Sequence, residues 1–142
     1  GAGNSLPQEG TVFISVKDRD KRSATDLARR LQGMGFKLIA TGGTQRFLAE
    51  QGLEVERVNK VLEGRPHCED AIVNGDVHLA INTTEGAQAI TDSYSIRRSA
   101  VTNNVPHYTT MAAAHAAVDG IEAVKSAGLE VAPLQAYFET SY

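Results

Sequence analysis

The sequence is poor in the residues that cross-link a chain or anchor it in a membrane. It contains one cysteine (Cys68), no tryptophan and four prolines in 142 residues. A single cysteine excludes a disulfide within the chain and favours a reducing cytoplasm. No apolar run approaches the roughly 20 residues of a membrane-spanning helix, so we expect neither a membrane segment nor a secretory signal.

A strong excess of positive charge is also missing. Fourteen basic residues are set against 17 acidic ones, the net charge is -3, and the isoelectric point is near 5.8. No overall field draws such a chain to nucleic acid, so any phosphate that it binds has to be held by local groups. The four histidines share no metal-ligand spacing with one another or with Cys68, and we predict no metal site.

Short β-rich runs alternate with segments of helical spacing along most of the chain. The predicted strands are residues 11–16, 36–40, 53–58, 77–81 and 105–108. The predicted helices are residues 24–31, 44–51, 67–74 and 85–102, followed by a last helix that ends at Gly128. The first helix ends near Gly33 or Gly35, and a break in the fourth near Asp92 and Ser93 is left open. Thr109 or Thr110 caps the last helix. Pro106 cannot donate to a ladder, so the fifth strand belongs at an edge.

This alternation implies βαβ crossovers. We therefore predict an α/β fold with a single doubly wound, mostly parallel five-stranded sheet and helices on both faces. The length suits one domain, which we place at residues 11–142. Residues 1–10 are polar and glycine-rich, and we predict a disordered leader there, with Gly1 and Ala2 as a cloning remnant.

The stretch FKLIATGGT, residues 36–44, has the most informative local pattern. A short apolar run ends in Thr41, Gly42, Gly43 and Thr44, which we interpret as a buried strand and the turn before a helix. The first N–H groups of a helix have no partner within it, and the helix dipole favours an anion there. The pattern favours a phosphate site, although a tight turn of no further function has the same appearance.

Polar residues follow each of the first four predicted strands. In doubly wound sheets ligands bind outside the carboxyl ends of the strands, at the point where the strand order reverses. Lysines and a helix start suit a phosphate, and amide or hydroxyl groups suit a sugar, which together indicate a phosphorylated small molecule such as a mononucleotide. The alternative for each residue is an ordinary structural role, in which the lysines are solvated side chains and the threonines cap their helices. The residues concerned are Lys21, Thr41, Thr44, Lys60, Asn82 and Thr84.

Signatures of catalysis are weak. The sequence has no nucleophile elbow, no Walker lysine loop and no convincing Ser–His–Asp arrangement. Enolisation chemistry needs a carboxylate at the mouth of the pocket, and none of the candidates Asp20, Glu63, Glu85 and Asp92 is distinguished by its neighbours. We therefore predict no catalytic residue.

Several segments together resemble a known family. ISVKDRDK, FKLIATGGT, VNKVLEGRPH and INTTEGAQAI, followed by SIRRSAV, closely resemble the C-terminal allosteric domain of the carbamoyl phosphate synthetase large subunit, which has the methylglyoxal synthase-like fold. The resemblance runs from about residue 12 to about residue 124. It implies a regulatory fragment of an ATP-dependent ligase of pyrimidine and arginine biosynthesis, without turnover or a cofactor of its own.

The resemblance also implies partners and site residues. UMP or IMP would be the effector, and its occupancy would be relayed to the other synthetase domains and through them to the glutaminase small subunit. The resemblance also permits self-association of the large subunit. The phosphate would contact Lys21, Thr41, Thr44 and Lys60, the ribose would contact Asn82 and Thr84, and the base would lie among Val61, Cys68, Asp92 and Ile96.

The alternative within this fold is a methylglyoxal synthase-type lyase acting on dihydroxyacetone phosphate. That enzyme places a catalytic aspartate after a glycine in the loop beyond the third strand. Here Gly64 is followed by Arg65 and Pro66. Arginine cannot act as a carboxylate base at neutral pH, so the regulatory interpretation is preferred.

Overall fold

The structure is a computed structural model and describes residues 9–58, 68–84 and 87–131. The strands are Thr11–Ser15 (β1), Lys37–Ala40 (β2), Val55–Arg57 (β3), Leu79–Asn82 (β4) and His107–Tyr108 (β5). The helices are Lys21–Gly33 (α1), Gly42–Glu50 (α2), Cys68–Val73 (α3), Ala87–Thr102 (α4) and Met111–Val131 (α5). A 3-10 turn, Asp18–Asp20, precedes α1.

The five strands form one sheet in the order β3-β2-β1-β4-β5, and all pairs are parallel. The predicted doubly wound α/β class is confirmed. The chain runs outward from β1 to β3 and then crosses to the other side of β1 for β4 and β5, so the strand order reverses between β1 and β4. The prediction from Pro106 is also confirmed, because β5 is an edge strand and Pro106 contributes only its carbonyl, which accepts from Ala80 N at 2.9 Å.

The sheet is covered on both faces, as a parallel sheet requires. In β1, Val12 and Ile14 pack into the apolar cluster beneath α1, α2 and α5, whereas Phe13 packs into a second cluster with Ile72 of α3 and Ile96 of α4. Successive strand residues face opposite sides, so the odd and even positions of β1 belong to different layers. This alternation decides the face to which each polar residue at the strand ends belongs.

Helix α1 shows how the local sequence fixes an element. Ala24, Leu27 and Leu31 recur at helical spacing, and all three are fully buried against the sheet. Gly35 then adopts a φ of +97°, a conformation that side chains other than glycine rarely take. The reversal lets Phe36 N donate to Leu31 O at 3.0 Å and returns the chain to β2.

The start of α2 differs from the prediction. We expected residues 41–44 to form a turn and the helix to begin at Thr44, but the helix begins at Gly42. Thr41 has extended backbone (φ -72°, ψ 161°) and serves as the N-cap residue, so Gly42 and Gly43 are the first two residues of the helix. The paired glycines were misleading, because neither takes the positive φ of a glycine turn.

The later helices settle two alternatives. Helix α4 is continuous from Ala87 to Thr102, without the break considered near Asp92 and Ser93. Thr110, rather than Thr109, caps α5, because its hydroxyl accepts from Ala113 N at 3.2 Å. Helix α5 extends to Val131, three residues beyond the predicted end at Gly128.

Candidate functional site

Three polar side chains from neighbouring strands share one face at the carboxyl edge of the sheet. Ser15 ends β1 and pairs in register with Asn82, which ends β4. By alternation these two residues lie on the face of Phe13 and Ala80, which α3 and α4 cover. Thr41 follows β2, and its Oγ1 lies 2.8 Å from Ser15 Oγ. The strand ends on either side of the reversal in strand order therefore present hydroxyl and amide groups together.

The first turn of α2 is bonded to the end of β1 through Thr44. The Thr44 hydroxyl accepts from Val16 N at 3.1 Å and lies 3.4 Å from Val16 O, so one hydroxyl serves both backbone groups. The side chain is only 3% exposed. Within the described chain, the Thr41 hydroxyl makes no capping bond to α2. The start of α2 is thus held firmly while its N-cap side chain is directed to Ser15.

The Lys21 ammonium lies at the same edge. Lys21 is the first residue of α1, and its Nζ donates to Val16 O at 3.3 Å and to the Asp18 carboxylate. The hydrogen bond and positive charge of Lys21 hold the pKa of Asp18 below its usual range. The Lys21 side chain is 15% exposed, whereas that of Asp18 is almost fully exposed. An ammonium is therefore kept beside the end of β1 by one backbone bond and one exposed ion pair.

A further hydroxyl joins β1 to β4. Thr83 directly follows β4, is 5% exposed, and accepts from Lys17 N at 3.0 Å. Together with the contacts of Thr41 and Thr44, this bond ties the segments that follow β1, β2 and β4 into one polar network. Such a network holds its groups in fixed positions because each bond restricts its neighbours.

The described members of the predicted set lie where the strand-end rule places them. Ile96 is 5% exposed in the apolar cluster on the α3 and α4 face, which is also the face of Ser15 and Asn82. Lys60 and Val61 lie outside the described residues, and the side chains of Cys68 in α3 and Asp92 in α4 are also outside the described part. The binding roles of all ten residues stay predictions. The members brought to the carboxyl edge are Lys21, Thr41, Thr44, Asn82 and Thr84.

Sequence reasoning missed three residues of this edge. Ser15 has the appearance of an ordinary strand end, and Thr83 lies between the predicted site residues Asn82 and Thr84 without being one of them. Arg57 ends β3, and its guanidinium atoms lie 3.4 to 3.8 Å from the position that a Cβ on Gly42 would take. Only the strand order β3-β2-β1 brings Arg57 to the start of α2, and no local pattern encodes that order.

The groups at this edge are of the kinds that can bind an anion and a hydroxyl-bearing ligand. It offers hydroxyl, amide and ammonium groups around a helix start. Among the described residues no group of three or more histidine, cysteine, aspartate or glutamate side chains could hold a metal ion. In the same part of the chain, no helix is long and apolar enough to cross a membrane.

Fold and site together define a doubly wound α/β domain whose polar groups converge where the strand order reverses. Comparison with known families makes this more specific, because the family model described as the MGS-like domain matches residues 23–109. This is more than half of the chain, and the chain belongs to the MGS-like domain family.

The chain is also similar over nearly its whole length to large chains of one enzyme. It is 58% identical over 140 residues to the carbamoyl phosphate synthase large chain of Rhizobium meliloti (strain 1021), which covers 99% of this chain and 12% of that protein. It is 47% identical over 139 residues to the C-terminal section of the large chain of Aquifex aeolicus (strain VF5), covering 94% of this chain and 26% of that section. The chain thus spans only about an eighth of the full-length relatives.

Solved structures support the fold. Methylglyoxal synthase from Elizabethkingia anophelis NUHP1 matches with a TM-score of 0.63 and 24% identity over 82% of this chain and 78% of that one. ForH matches with a TM-score of 0.63 and 20% identity over 84% of this chain and 80% of that one. At these identities the likeness establishes the shared fold alone.

Proposed function

We propose that this chain is the effector-binding regulatory domain of a carbamoyl phosphate synthase large chain and that it binds a nucleoside monophosphate, UMP or IMP. The observation that carries the proposal is the polar network at the carboxyl edge, where Thr41 and Thr44 at the start of α2 bond Ser15 and Val16, and Lys21 also bonds Val16. The similarity of nearly the whole of this chain to part of the large chains of that enzyme supports its assignment to such a protein.

The phosphate would lie over the first turn of α2. The backbone N–H groups of Gly42 and Gly43 belong to the first turn, which leaves them without intrahelical acceptors, and neither residue has a side chain to obstruct an anion. Lys21 from the β1 side and Lys60 from the loop after β3 would add point charges. Thr41 and Thr44 hydroxyls would complete the phosphate contacts.

The nucleoside would extend along the α3 and α4 face. Asn82 and Thr84 follow β4 and supply amide and hydroxyl groups for the ribose. Ile96 closes this face with an apolar side chain, and Val61, Cys68 and Asp92 are the other residues that we propose around the base. A base needs an apolar surface and few polar groups, and Ile96 belongs to the apolar cluster on this face.

Regulation requires a second site that responds to the first. The responding sites would be in the remaining synthetase domains of the large chain and, through them, in the glutaminase small subunit. The domain itself would have no turnover and need no cofactor, and its parent would be an ATP-dependent ligase of pyrimidine and arginine biosynthesis. Self-association of the large chain and a location in the cytoplasm also stay proposals.

Ligand-dependent stabilisation tests the proposal directly. A ligand that binds only the folded state adds about 2.7 kcal/mol to the free energy of unfolding at roughly one hundred times its dissociation constant. We expect urea unfolding with UMP or IMP to show such an increase in the wild type. The increase should be lost in Lys60→Ala and retained in the control Lys37→Ala, whose lysine lies at the start of β2. No increase with either nucleotide would contradict the proposal.

The lyase alternative has the shared fold as its only support. The same screen should therefore include dihydroxyacetone phosphate and an assay for methylglyoxal. We expect no product. Methylglyoxal formation that disappears in Asp20→Asn or Glu63→Gln would favour the lyase and contradict a domain without turnover.

A further inference from the structure

The start of β1 is fastened by the side chain of His78, the residue before β4. Thr11 begins β1, and its backbone N–H donates to Nδ1 of His78 at 3.0 Å. The Thr11 carbonyl in turn accepts from His78 N at 2.8 Å, and Lys37 N at the start of β2 donates to Gly10 O at 2.9 Å. Residues 10 and 11 are therefore bonded to the starts of both neighbouring strands. We call Gly10, Thr11 and His78 the β1 clasp.

The clasp requires glycine at position 10. The φ of Gly10 is +125°, which residues with a side chain rarely adopt. A Cβ built on Gly10 would lie 2.5 Å from Nδ1 and 2.6 Å from Cγ of His78, whereas non-bonded carbon atoms prefer a separation of roughly 3.5 to 4 Å. Because Cγ is the first atom of the ring, a side chain at position 10 would displace the whole imidazole from Thr11 N.

The bond from Thr11 N depends on the protonation state of the His78 ring. In a neutral imidazole one nitrogen carries the proton and the other accepts, so an accepting Nδ1 places the proton on Nε2. In the imidazolium ion both nitrogens are donors, and an Nδ1–H would face the N–H of Thr11. Two donors do not bond, so the protonated ring has to turn away from the backbone. Histidine is the side chain that ordinarily makes this change between pH 5 and 8.

The surroundings of the ring permit this change. The His78 side chain is exposed, so its protonation and the hydration of a freed Thr11 N–H bury no unpaired group. Among the described residues, the charged groups on the segments that meet at the clasp are Glu9, Asp76 and Lys37, and Lys37 is paired with an exposed carboxylate of β3.

We propose that the β1 clasp is a proton-sensitive device that is closed when His78 is neutral and open when its ring is protonated. Opening releases the Thr11 N–H to water and loosens the chain before it. Val12 and Phe13 follow directly and are fully buried, so the rest of β1 stays in the sheet and the opening is local. The inference goes beyond the proposed function and does not depend on nucleotide binding.

Amide hydrogen exchange of the ¹⁵N-labelled protein at pH 7.5 and pH 5.5 tests the device. The quantity to compare is the protection factor of Thr11, in which the exchange rate is divided by the intrinsic rate at the same pH. Loss of one hydrogen bond should lower this factor about fivefold at the lower pH in the wild type. His78→Asn places a carbonyl oxygen near the position of Nδ1 and does not titrate, so its factor should be equal at both pH values.

His78→Phe provides the matched control, because it keeps a ring and has no acceptor. Its Thr11 protection factor should be low at both pH values and close to that of the wild type at pH 5.5. Glu9, Asp76 and Lys37 are the same in all three proteins, so their titration does not distinguish the variants. Thermal unfolding at both pH values establishes that each variant is folded.

A double-mutant cycle tests the role of Gly10. Gly10→Ala introduces both backbone strain and a clash with the ring, and only the clash needs His78. The decrease in the urea midpoint caused by Gly10→Ala should therefore be smaller in a His78→Ala background, by about half. Equal decreases in the two backgrounds would overturn the requirement for glycine.

Three results of the exchange experiment would overturn the proton-sensitive clasp. One is a wild-type Thr11 protection factor that is the same at both pH values. Another is a decrease in His78→Asn as large as that in the wild type. The third is a decrease at Thr11 that is matched at Val12 and Phe13, because the opening would then not be local. Binding of UMP or IMP, or its absence, leaves each of these results unchanged.

Discussion

Polar side chains differ in exposure between the carboxyl edge of the sheet, where the strands end, and the amino edge, where the strands begin. At the carboxyl edge, Thr41, Thr44, Asn82 and Thr83 are between 2% and 5% exposed. At the amino edge, Lys37 begins β2 and forms an ion pair at 3.1 Å with Glu56 of β3, and the two side chains are 65% and 64% exposed. Four polar side chains are thus buried at the carboxyl edge, whereas this ion pair lies in water.

This difference supports the proposal that a ligand binds at the carboxyl edge. Burying a hydroxyl without a hydrogen bond costs stability, and an unsatisfied partner costs more than a good bond gains. The buried threonines of the carboxyl edge bond Ser15, Val16 and Lys17, three consecutive residues at the end of β1. Their positions are therefore set by the fold before any ligand arrives. The exposed pair at the amino edge imposes no comparable arrangement.

The largest expected effect is on ligand affinity, and it should occur at one edge only. Replacing the charged Lys21 by methionine removes an interaction of about 2 kcal/mol with a bound phosphate, so UMP or IMP should bind roughly 30-fold more weakly. Lys37→Met makes the same chemical change at the amino edge and should leave affinity unchanged. Calorimetric titration measures both. Equal losses in the two variants would remove the distinction between the edges.

The next effect is on stability. Thr44→Val keeps the shape of the side chain but leaves the buried Val16 N–H without its acceptor, which should lower the free energy of unfolding by about 2 kcal/mol. Thr44→Ser keeps the hydroxyl and should lose less than half of that. Urea unfolding gives both values. A Thr44→Val protein as stable as the wild type would mean that the hydroxyl network contributes little to the carboxyl edge.

A smaller effect is expected at the amino edge. An exposed ion pair typically contributes less than about 1 kcal/mol and is screened by salt. A double-mutant cycle of Lys37→Ala and Glu56→Ala should give a coupling energy of about 0.5 kcal/mol at low salt and close to zero at 1 M salt. A coupling as large as the Thr44→Val loss would mean that exposure does not separate the two edges.

The smallest effect concerns the edge strand β5. Burial, with a contribution from the charge of Arg97, lowers the pKa of His107 below its ordinary value of 6.5, and within the described residues its buried Nε2 has no hydrogen-bond partner. A lowered pKa means that the unfolded chain takes up the proton first as the pH falls. The titration of His107 therefore costs no stability above about pH 7, and it lowers the free energy of unfolding as the pH falls below that value.

The variant His107→Phe isolates this contribution. Between pH 7.5 and pH 5.5 its free energy of unfolding should fall less than that of the wild type. Because the other titrating groups are the same in both proteins, the difference between the two slopes reports His107. An equal or steeper decline in the variant would contradict a lowered pKa.

The sequence predicted the fold class because the strands are short apolar runs separated by helical spacing, and both patterns are local. It also grouped Lys21, Thr41 and Asn82 correctly at one edge. The carboxyl ends of parallel strands meet there whatever the strand order, so this grouping needs no knowledge of topology. The start of α2 was misjudged, because paired glycines indicate a turn as readily as the beginning of a helix.

The positions of Ser15 and Arg57 relative to the start of α2 could not be predicted. Each depends on which strand lies beside which, and strand order is a property of the packed sheet. Ser15 becomes a partner of Thr41 only because β1 lies next to β2, and Arg57 approaches Gly42 only because β3 lies on the other side of β2. Neither residue differs in its local sequence from an ordinary strand end.

The carboxyl edge of the sheet is the site that we propose for a nucleoside monophosphate. A titration of the ¹⁵N-labelled protein with UMP and with IMP, followed by two-dimensional NMR, tests it most directly. We predict that the largest chemical-shift changes occur at the amides of Ser15, Gly42, Gly43 and Asn82, while the amide signals of Gly10 and Lys37 at the amino edge do not change. No change with either nucleotide, or changes concentrated at Gly10 and Lys37, would contradict binding at the carboxyl edge.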